Sequence, residues 1–392
     1  MVETGRHLDK VSILLSPQKT ILGKGVIEFV GKEAKGLGGR RVLIVTDPGV
    51  VKAGMVAGPQ KLLESEGLEV GLFDQVEPEP PARVVDACIR IISKKGYDLV
   101  VGIGGGSTLD VAKGAATLAP NGNKALEFVG LDRVPKRGLP KILIPTTAGT
   151  GSEATRVFVM TDEEDNTKKV VYSNFLLADV AILDPLLTVS MPPRLTADTG
   201  MDALVHAIEA YVSVNTTPFA EILSMAAITL IALNLPKACA KGSNIEARYN
   251  LLLAANLAGT AFTSGGLGAV HGLAYVLGTE YHLSHGRSNA IMLPHVMTYN
   301  LSGNFEKYSA IASAMGESMA GLSPYAGAQK SVEAVKKLLD LINIPYNLSS
   351  YGISKSDLPK LVSGGLKQDR LFIPNPRDLS EKDLELIYGG AF

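Results

Sequence analysis

A chain of 392 residues, 46% of them apolar, is long enough for two or three domains with sizeable cores, and two are expected here. Its 38 basic and 39 acidic residues nearly cancel without long like-charge runs. That excludes the electrostatic footprint of nucleic acid or an anionic membrane and leaves small-molecule ligands. Cys88 and Cys239, the only cysteines, exclude a disulfide framework and a cysteine-rich zinc site and suit a reducing cytoplasm.

The N-terminal decapeptide MVETGRHLDK is polar where a secretory signal needs an apolar core, so no targeting segment is expected. Short β-rich runs follow: VSILLS, RVLIVTD, LEVGLFDQV, YDLVVGIGG, KILIPTT and VAILDP, with amphipathic stretches between several of them. The alternation predicts an α/β domain with a largely parallel sheet over residues 1–185. After Asp184-Pro185 the β-branched runs thin out and Ala/Leu-rich stretches take over, so residues 186–392 are expected to be all-α. Within them, ILSMAAITLIALNLPKACA at 222–240 is broken by Ser224, Thr229, Asn234 and Pro236 and reads as a buried helix, not a membrane span.

Two loops of the first half are candidate cofactor seats. Gly104, Gly105 and Gly106 close the strand YDLVVGIGG, and a helix opens at Ser107. Glycines admit close backbone approach, and the free N–H groups of a helix start suit a pyrophosphate. The pattern is not G-x-G-x-x-G, because Ser107 stands where the last glycine should. Asp110 either faces the cofactor with this loop or, with Ser107 in an S-x-x-D capping box, merely closes a tight turn that explains the same residues without a ligand. The second loop, PTTAGTGSEAT at 145–155, offers the hydroxyls of Thr146, Thr147, Thr150 and Ser152 to phosphate or ribose, against the alternative of a hydroxyl-capped turn. Asp47 ends the strand RVLIVTD. There it either accepts from a ribose 2′-OH, which favours NAD over NADP, or caps a helix.

In the second half, Asp202 and His206 stand four apart in GMDALVHAIEAY, on one face of a helix and within reach of a common divalent metal. His271 and His285 would complete the set, although spacing does not separate them from His282 and His295.

The segments GGGSTLD, PTTAGTGSE, GMDALVHAIEAY, GLGAVHGLAYVLG and HGRSNAIMLPHV, in this order, resemble the iron-containing (group III) alcohol dehydrogenase family from about residue 15 to the NPR segment at 375–377. The resemblance implies a Rossmann-like N-terminal domain and an all-α C-terminal domain, the architecture shared with dehydroquinate synthase, with the site in the cleft between them. It implies that Asp202, His206, His271 and His285 hold Fe²⁺ (or Zn²⁺ or another divalent ion), and that the GGGS loop, the PTTAGT loop and Asp47 hold NAD. The metal would polarise an alcohol or carbonyl oxygen while the nicotinamide carries hydride. Lys169 matches a position that reaches the cofactor, with Lys168 its solvated neighbour, and Phe262 matches one near the substrate. Relatives are often dimers or larger, so a homo-oligomer is expected.

Departures from the family pattern are Tyr275, in place of a frequent histidine that helps move the proton, and Glu79 and Ser264, each in place of a frequent asparagine. A tyrosine hydroxyl passes protons, although its ordinary pKa near 10 makes it a weak acid-base at neutral pH. Arg287, two residues after His285, offers a guanidinium to the acid group of a hydroxycarboxylate, or else forms a structural salt bridge. The expected substrate is a short-chain alcohol, diol or hydroxyacid. The alternatives are a lyase or cyclase of the dehydroquinate synthase type, which needs a cationic cluster for a phosphorylated substrate, or a non-catalytic scaffold.

Overall fold

A computed structural model describes residues 11–165 and 167–392. The polar decapeptide at the N-terminus lies outside the described residues. The chain forms two compact units, Leu15–Ser190 and Met191–Phe392, and residues 11–14 group with the second. The sequence-based boundary after residue 185 thus falls within a short 3₁₀ turn, Pro185–Thr188, that the structure assigns to the first unit.

The first unit holds the strands β1 (Lys19–Leu22), β2 (Arg41–Val45), β3 (Glu69–Phe73), β4 (Leu99–Gly104), β5 (Gly130–Leu131), β6 (Lys141–Pro145), β7 (Val157–Asp162), β8 (Thr167–Tyr172) and β9 (Val180–Leu183). Its helices are α1 (Val30–Gly36), α2 (Pro48–Lys52), α3 (Ala57–Ser65), α4 (Ala82–Lys95) and α5 (Gly106–Leu118). Six strands make a sheet in the order β1-β9-β6-β4-β2-β3, and every pairing in it is parallel. Both faces are covered. Val42 and Ile44 of β2 pack with Val30, Ala34 and Leu63 of α1 and α3, while Leu43 and Val45 pack with Val85, Ile89 and Leu109 of α4 and α5. This is why the strands read as unbroken apolar runs instead of alternating ones. Each such side chain contributes about 1.5–3 kcal/mol by leaving water.

The chain runs from β2 outward to β3, then crosses back so that β4 lies on the other flank of β2. Strand order reverses there, and ligands of open sheets bind beyond the carboxyl ends of strands at such a point. Asp47 follows β2 and the triple glycine closes β4, so the topology brings both candidates to one place.

Two expectations are corrected. VSILLS forms no strand; its Val11 and Ile13 are exposed, and Ser264 Oγ of the helical unit donates to the Ile13 carbonyl at 3.2 Å. An apolar run alone does not make a strand without a neighbour to pair with. A small second sheet, β5-β8-β7, built on an antiparallel β7–β8 hairpin, was not expected from the lysine-rich segment TKKVVY.

The second unit is helical: α6 (Pro193–Val212), α7 (Pro218–Ala240), α8 (Ile245–Gly265), α9 (Ala269–Tyr281), α10 (His285–Asn300), α11 (Phe305–Ala314), α12 (Pro324–Leu341), α13 (Leu358–Leu366) and α14 (Glu381–Gly389). Small residues set its close approaches. A Cβ at Gly265 would stand 2.8 Å from the Ala210 carbonyl, and one at Gly286 would stand 2.2 Å from the Asp198 carbonyl, so α8 and α10 lie hard against α6. Between α8 and α9 the direction changes by 110°, with Gly266 at φ +81° in the left-handed region. Helix α7 is long and apolar enough to span a bilayer, yet it packs against α6 and α8 and its buried Glu221 pairs with Lys307 at 2.8 Å, as a core helix does.

Candidate functional site

In the α/β unit the helix α5 begins at Gly106, with Gly105 in extended conformation at its N-cap and no side chain capping it. Its first amides therefore have no intrahelical acceptor, the arrangement that suits an anion. Two of the three glycines are sterically required: a Cβ at Gly104 would lie 2.5 Å from Thr108 Cβ, and one at Gly106 would lie 2.6 Å from Thr150 Cγ2. The two loops consequently pack against each other. Thr146 is buried, and its N–H donates to the Gly104 carbonyl at 2.9 Å; Thr147 and Thr150 are partly exposed.

The proposed capping box is not formed. Ser107 Oγ accepts from the Glu79 N–H at 3.3 Å, while Asp110 accepts from Ser152 Oγ at 2.6 Å and from the Val159 N–H at 2.9 Å. Beneath them, the buried Lys113 ammonium donates to the Ser152 carbonyl and to Thr155 Oγ1, both at 2.8 Å, and lies 3.1 Å from Asp110. Burial pushes its pKa down, and Asp110 pulls it back only in part. Asp110 and Ser152 are thus the tie between the two loops, with their polar atoms spent on each other. Asp47 does cap a helix: Oδ1 accepts from the Val50 N–H at 3.0 Å and Oδ2 from Thr108 Oγ1 at 2.8 Å. Each carboxylate oxygen retains a further lone pair for a ribose hydroxyl.

In the helical unit, donor atoms of Asp202, His271 and His285 lie within 4.8 Å of one another. Asp202 comes from α6, His271 from the first turn of α9 and His285 from the first residue of α10. His206, one turn after Asp202, stacks on His271 at 4.8 Å and on Phe262 at 4.7 Å between ring centroids, and its Nδ1 is buried with no hydrogen-bond partner. The rival histidines go elsewhere. His282 is the exposed left-handed C-cap of α9, and His295 Nε2 donates to the Tyr346 carbonyl at 2.7 Å.

Two residues missed in the sequence complete the set. Glu209 accepts His271 Nδ1–H at 2.6 Å and the Val270 N–H at 2.7 Å, which fixes the imidazole tautomer and leaves Nε2 a lone pair facing Asp202. Asn289, one turn after His285, donates to Asp202 Oδ1 at 2.8 Å. Spacing could have flagged both, since Glu209 is seven after Asp202 and Asn289 four after His285 on their helices. Burial pushes His206 down to about 4, against the pull of Asp202, so it is neutral at pH 7. Burial would lower His271 too, but the Glu209 carboxylate turns the shift upward. Burial would raise Asp202, yet the surrounding imidazoles and the Asn289 bond hold it low. Asp202, His271 and His285, with the unpartnered imidazole of His206 stacked beside them, could serve as a donor set for a divalent metal.

Comparison with known proteins gives the family. The family model described as iron-containing alcohol dehydrogenase matches residues 17–185, and that described as Fe-containing alcohol dehydrogenase family, C-terminal, matches 196–392. The chain belongs to the iron-containing alcohol dehydrogenase family. It is 42% identical over 385 residues to long-chain-alcohol dehydrogenase 1 of Geobacillus thermodenitrificans, covering 97% of both chains. The crystal structure of a 1,3-propanediol oxidoreductase superimposes with a TM-score of 0.95 at 39% identity, covering 98% of this chain and 100% of that one. The structure of sulfoacetaldehyde reductase from Bifidobacterium kashiwanohense in complex with NAD⁺ matches at TM-score 0.88 and 29% identity, covering 97% and 98%. The chain is accordingly an NAD-linked alcohol dehydrogenase or aldehyde reductase, and the lyase and scaffold alternatives fall away.

Other expected positions of this family member are now placed. Tyr275, one turn after His271 on α9, has its ring 6.2 Å from that of His285. Arg287 is not open to a substrate anion: it is buried, with Nε 2.6 Å from Asp198 Oδ1 and Nη1 3.3 Å from Tyr351 Oη. Asp198 also accepts from Ser284 Oγ at 2.9 Å, so the pair staples the start of α10 to α6 and seats His285 opposite Asp202. Lys169 is held by carboxylates of its own hairpin, 2.5 Å from Asp165 and 3.6 Å from Asp162, whereas Lys168 reaches Glu79 at 2.8 Å. Lys168 is thus linked, through Glu79, to Ser107. Glu79 sits at φ +51°, the left-handed region that asparagine tolerates well, which accounts for the residue common there.

Proposed function

We propose that the protein interconverts a short-chain alcohol or diol and its aldehyde or ketone, with Asp202, His206, His271 and His285 holding Fe²⁺ and the loops after β2, β4 and β6 holding NAD. The observation that carries the reading is the convergence of Asp202, His271 and His285 with Glu209 behind His271. When bound, the metal supplies Lewis acidity toward the substrate oxygen and the nicotinamide supplies the hydride acceptor.

The residues themselves do the following. Burial keeps His206 unprotonated at neutral pH, while Glu209 holds His271 through Nδ1 and turns its Nε2 toward Asp202, where a bound cation would take the place of a proton. Gly104 and Gly106 let Thr150 and the α5 amides stand close enough to share one pyrophosphate, with Gly105, Ser107, Thr146 and Thr147 around it. Asp47 accepts a ribose hydroxyl and disfavours the added phosphate of NADP. Tyr275 Oη relays the alcohol proton to solvent beside the exposed edge of His285. A hydroxyacid is the weaker candidate, because Asp198 already neutralises Arg287. A homo-oligomer fits the exposed apolar residues Phe219, Ile222 and Leu233 along α7, and the free Cys88 and Cys239 fit a reducing cytoplasm.

The test is an NAD-coupled screen of short alcohols, diols and hydroxyacids on enzyme loaded with Fe²⁺ without oxygen, with metal content measured alongside. Turnover that persists after verified metal removal would overturn the reading. The proton route is tested by Tyr275→Phe, which is expected to shift the pH profile of kcat, and by Tyr275→His, which is expected to move it toward neutral pH.

A further inference from the structure

Asn289 stands where the three converging donor atoms meet. Its Nδ2 is 2.8 Å from Asp202 Oδ1 and 3.2 Å from the Nε2 atoms of both His271 and His285, and the residue is wholly buried. An amide nitrogen carries two hydrogens and only donates. Three acceptors therefore share two hydrogens, and they offer to the amide the same lone pairs that a divalent cation takes. A cation holding these atoms at about 2.0–2.2 Å leaves the amide nitrogen no room to keep both imidazole contacts. The other end of the carboxamide is not anchored, since Asn289 Oδ1 is buried without a hydrogen-bond partner. Turning the side chain therefore breaks no bond at Oδ1 and lets that atom seek one.

We propose that Asn289 is a gate on the metal site. Its carboxamide keeps the carboxylate and two imidazoles gathered, and it gives up both imidazoles when a divalent cation enters, so it slows metal capture and weakens it. The inference rests on the reading of Asp202, His206, His271 and His285 as the metal ligands. Asn289 itself is a positioning residue, placed one turn after His285 on α10 so that a change in ligand occupancy is felt directly by that helix.

The experiment uses the full chain, stripped with chelator and titrated with Co²⁺, whose visible absorption reports its coordination; stopped-flow mixing gives the capture rate. Wild type is expected to take one Co²⁺ per chain, and His271→Ala to lose that binding. Asn289→Ala removes the donor without breaking the helix and is expected to capture Co²⁺ about tenfold faster and more tightly, the worth of one or two lost hydrogen bonds. Asn289→Asp keeps the shape, removes the donor hydrogens and adds charge. It is expected to melt at lower temperature than wild type when stripped and to gain more from Co²⁺, and it carries the test should the alanine variant not fold. If wild type loads Co²⁺ while both variants load at the wild-type rate and affinity, or more weakly, the gate is refuted and the metal reading stands. If wild type takes no Co²⁺, or His271→Ala takes it equally well, the metal reading fails and the gate fails with it.

Discussion

At the end of β4 the candidate ligand groups are backbone amides, and the glycines there let two loops close on each other. Across α6, α9 and α10 the candidate ligand groups are side chains, each held by buried polar partners, with glycines such as Gly286 setting how closely the helices approach. Gly106 shows the first kind, where an added Cβ would meet Thr150 at 2.6 Å. His271 shows the second, with Glu209 on one ring nitrogen and the ligand set on the other. A backbone site tolerates exchange of most side chains around it and fails when bulk is added. A side-chain site fails when a functional group is taken away. The two units should therefore respond to opposite kinds of substitution, and each response should appear in a different constant.

The largest effect is expected from deletion in the helical unit. His271→Ala should lower kcat by more than about 100-fold and empty the site of metal, while NAD affinity, read by fluorescence, stays as it was. Next comes Glu209→Gln, which keeps the shape but weakens the orientation of His271. Metal affinity is expected to fall by roughly 10-fold or more, measured by competition with a chelator. A bulk test of the α/β unit follows. Gly106→Ala should raise KM for NAD about tenfold with metal content unchanged, and a fall in metal content instead would break the distinction between the units. Ser152→Ala, which cuts the tie to Asp110, should raise KM for NAD only a few-fold, the worth of a hydrogen bond of about 1 kcal/mol.

The smallest effect concerns pH. Burial lowers the His295 pKa, with the Tyr346 carbonyl opposing it. A folded value below the unfolded one means the unfolded chain takes up the proton first. The contribution to stability is then full above the ordinary value of about 6.5 and is lost as the pH falls below it. Urea unfolding at pH 7.5 and 5.5 should show wild type losing more stability than His295→Gln, by up to about 1.4 kcal/mol per unit of pH.

Much of this was legible in the sequence because glycine and histidine carry their reasons locally. Three glycines after an apolar strand announce a close approach, and Asp202 with His206 announces a helix face. What escaped was whatever depends on a partner distant in sequence. Asp110 read either as a cofactor-side residue or as the cap of its own helix, yet it binds Ser152, 42 residues on. Arg287 read either as a substrate anchor or as half of a structural salt bridge, and only the fold reveals the partner, Asp198, 89 residues before it. VSILLS had the composition of a strand and no strand to pair with, while TKKVVY had the charge of a loop and found β7. Glu209 lay in plain view within the helix motif, but an acid on an amphipathic helix reads as solvated until a buried imidazole is found opposite it.

Glu209 has one more consequence. Its carboxylate takes the Val270 N–H, at a helix start whose N-cap, Gly268, has no side chain to offer, and with its other oxygen it holds His271. The residue that begins α9 is thus the residue that tunes the ligand. A substitution at this position would therefore disturb the start of α9 and the orientation of His271 together.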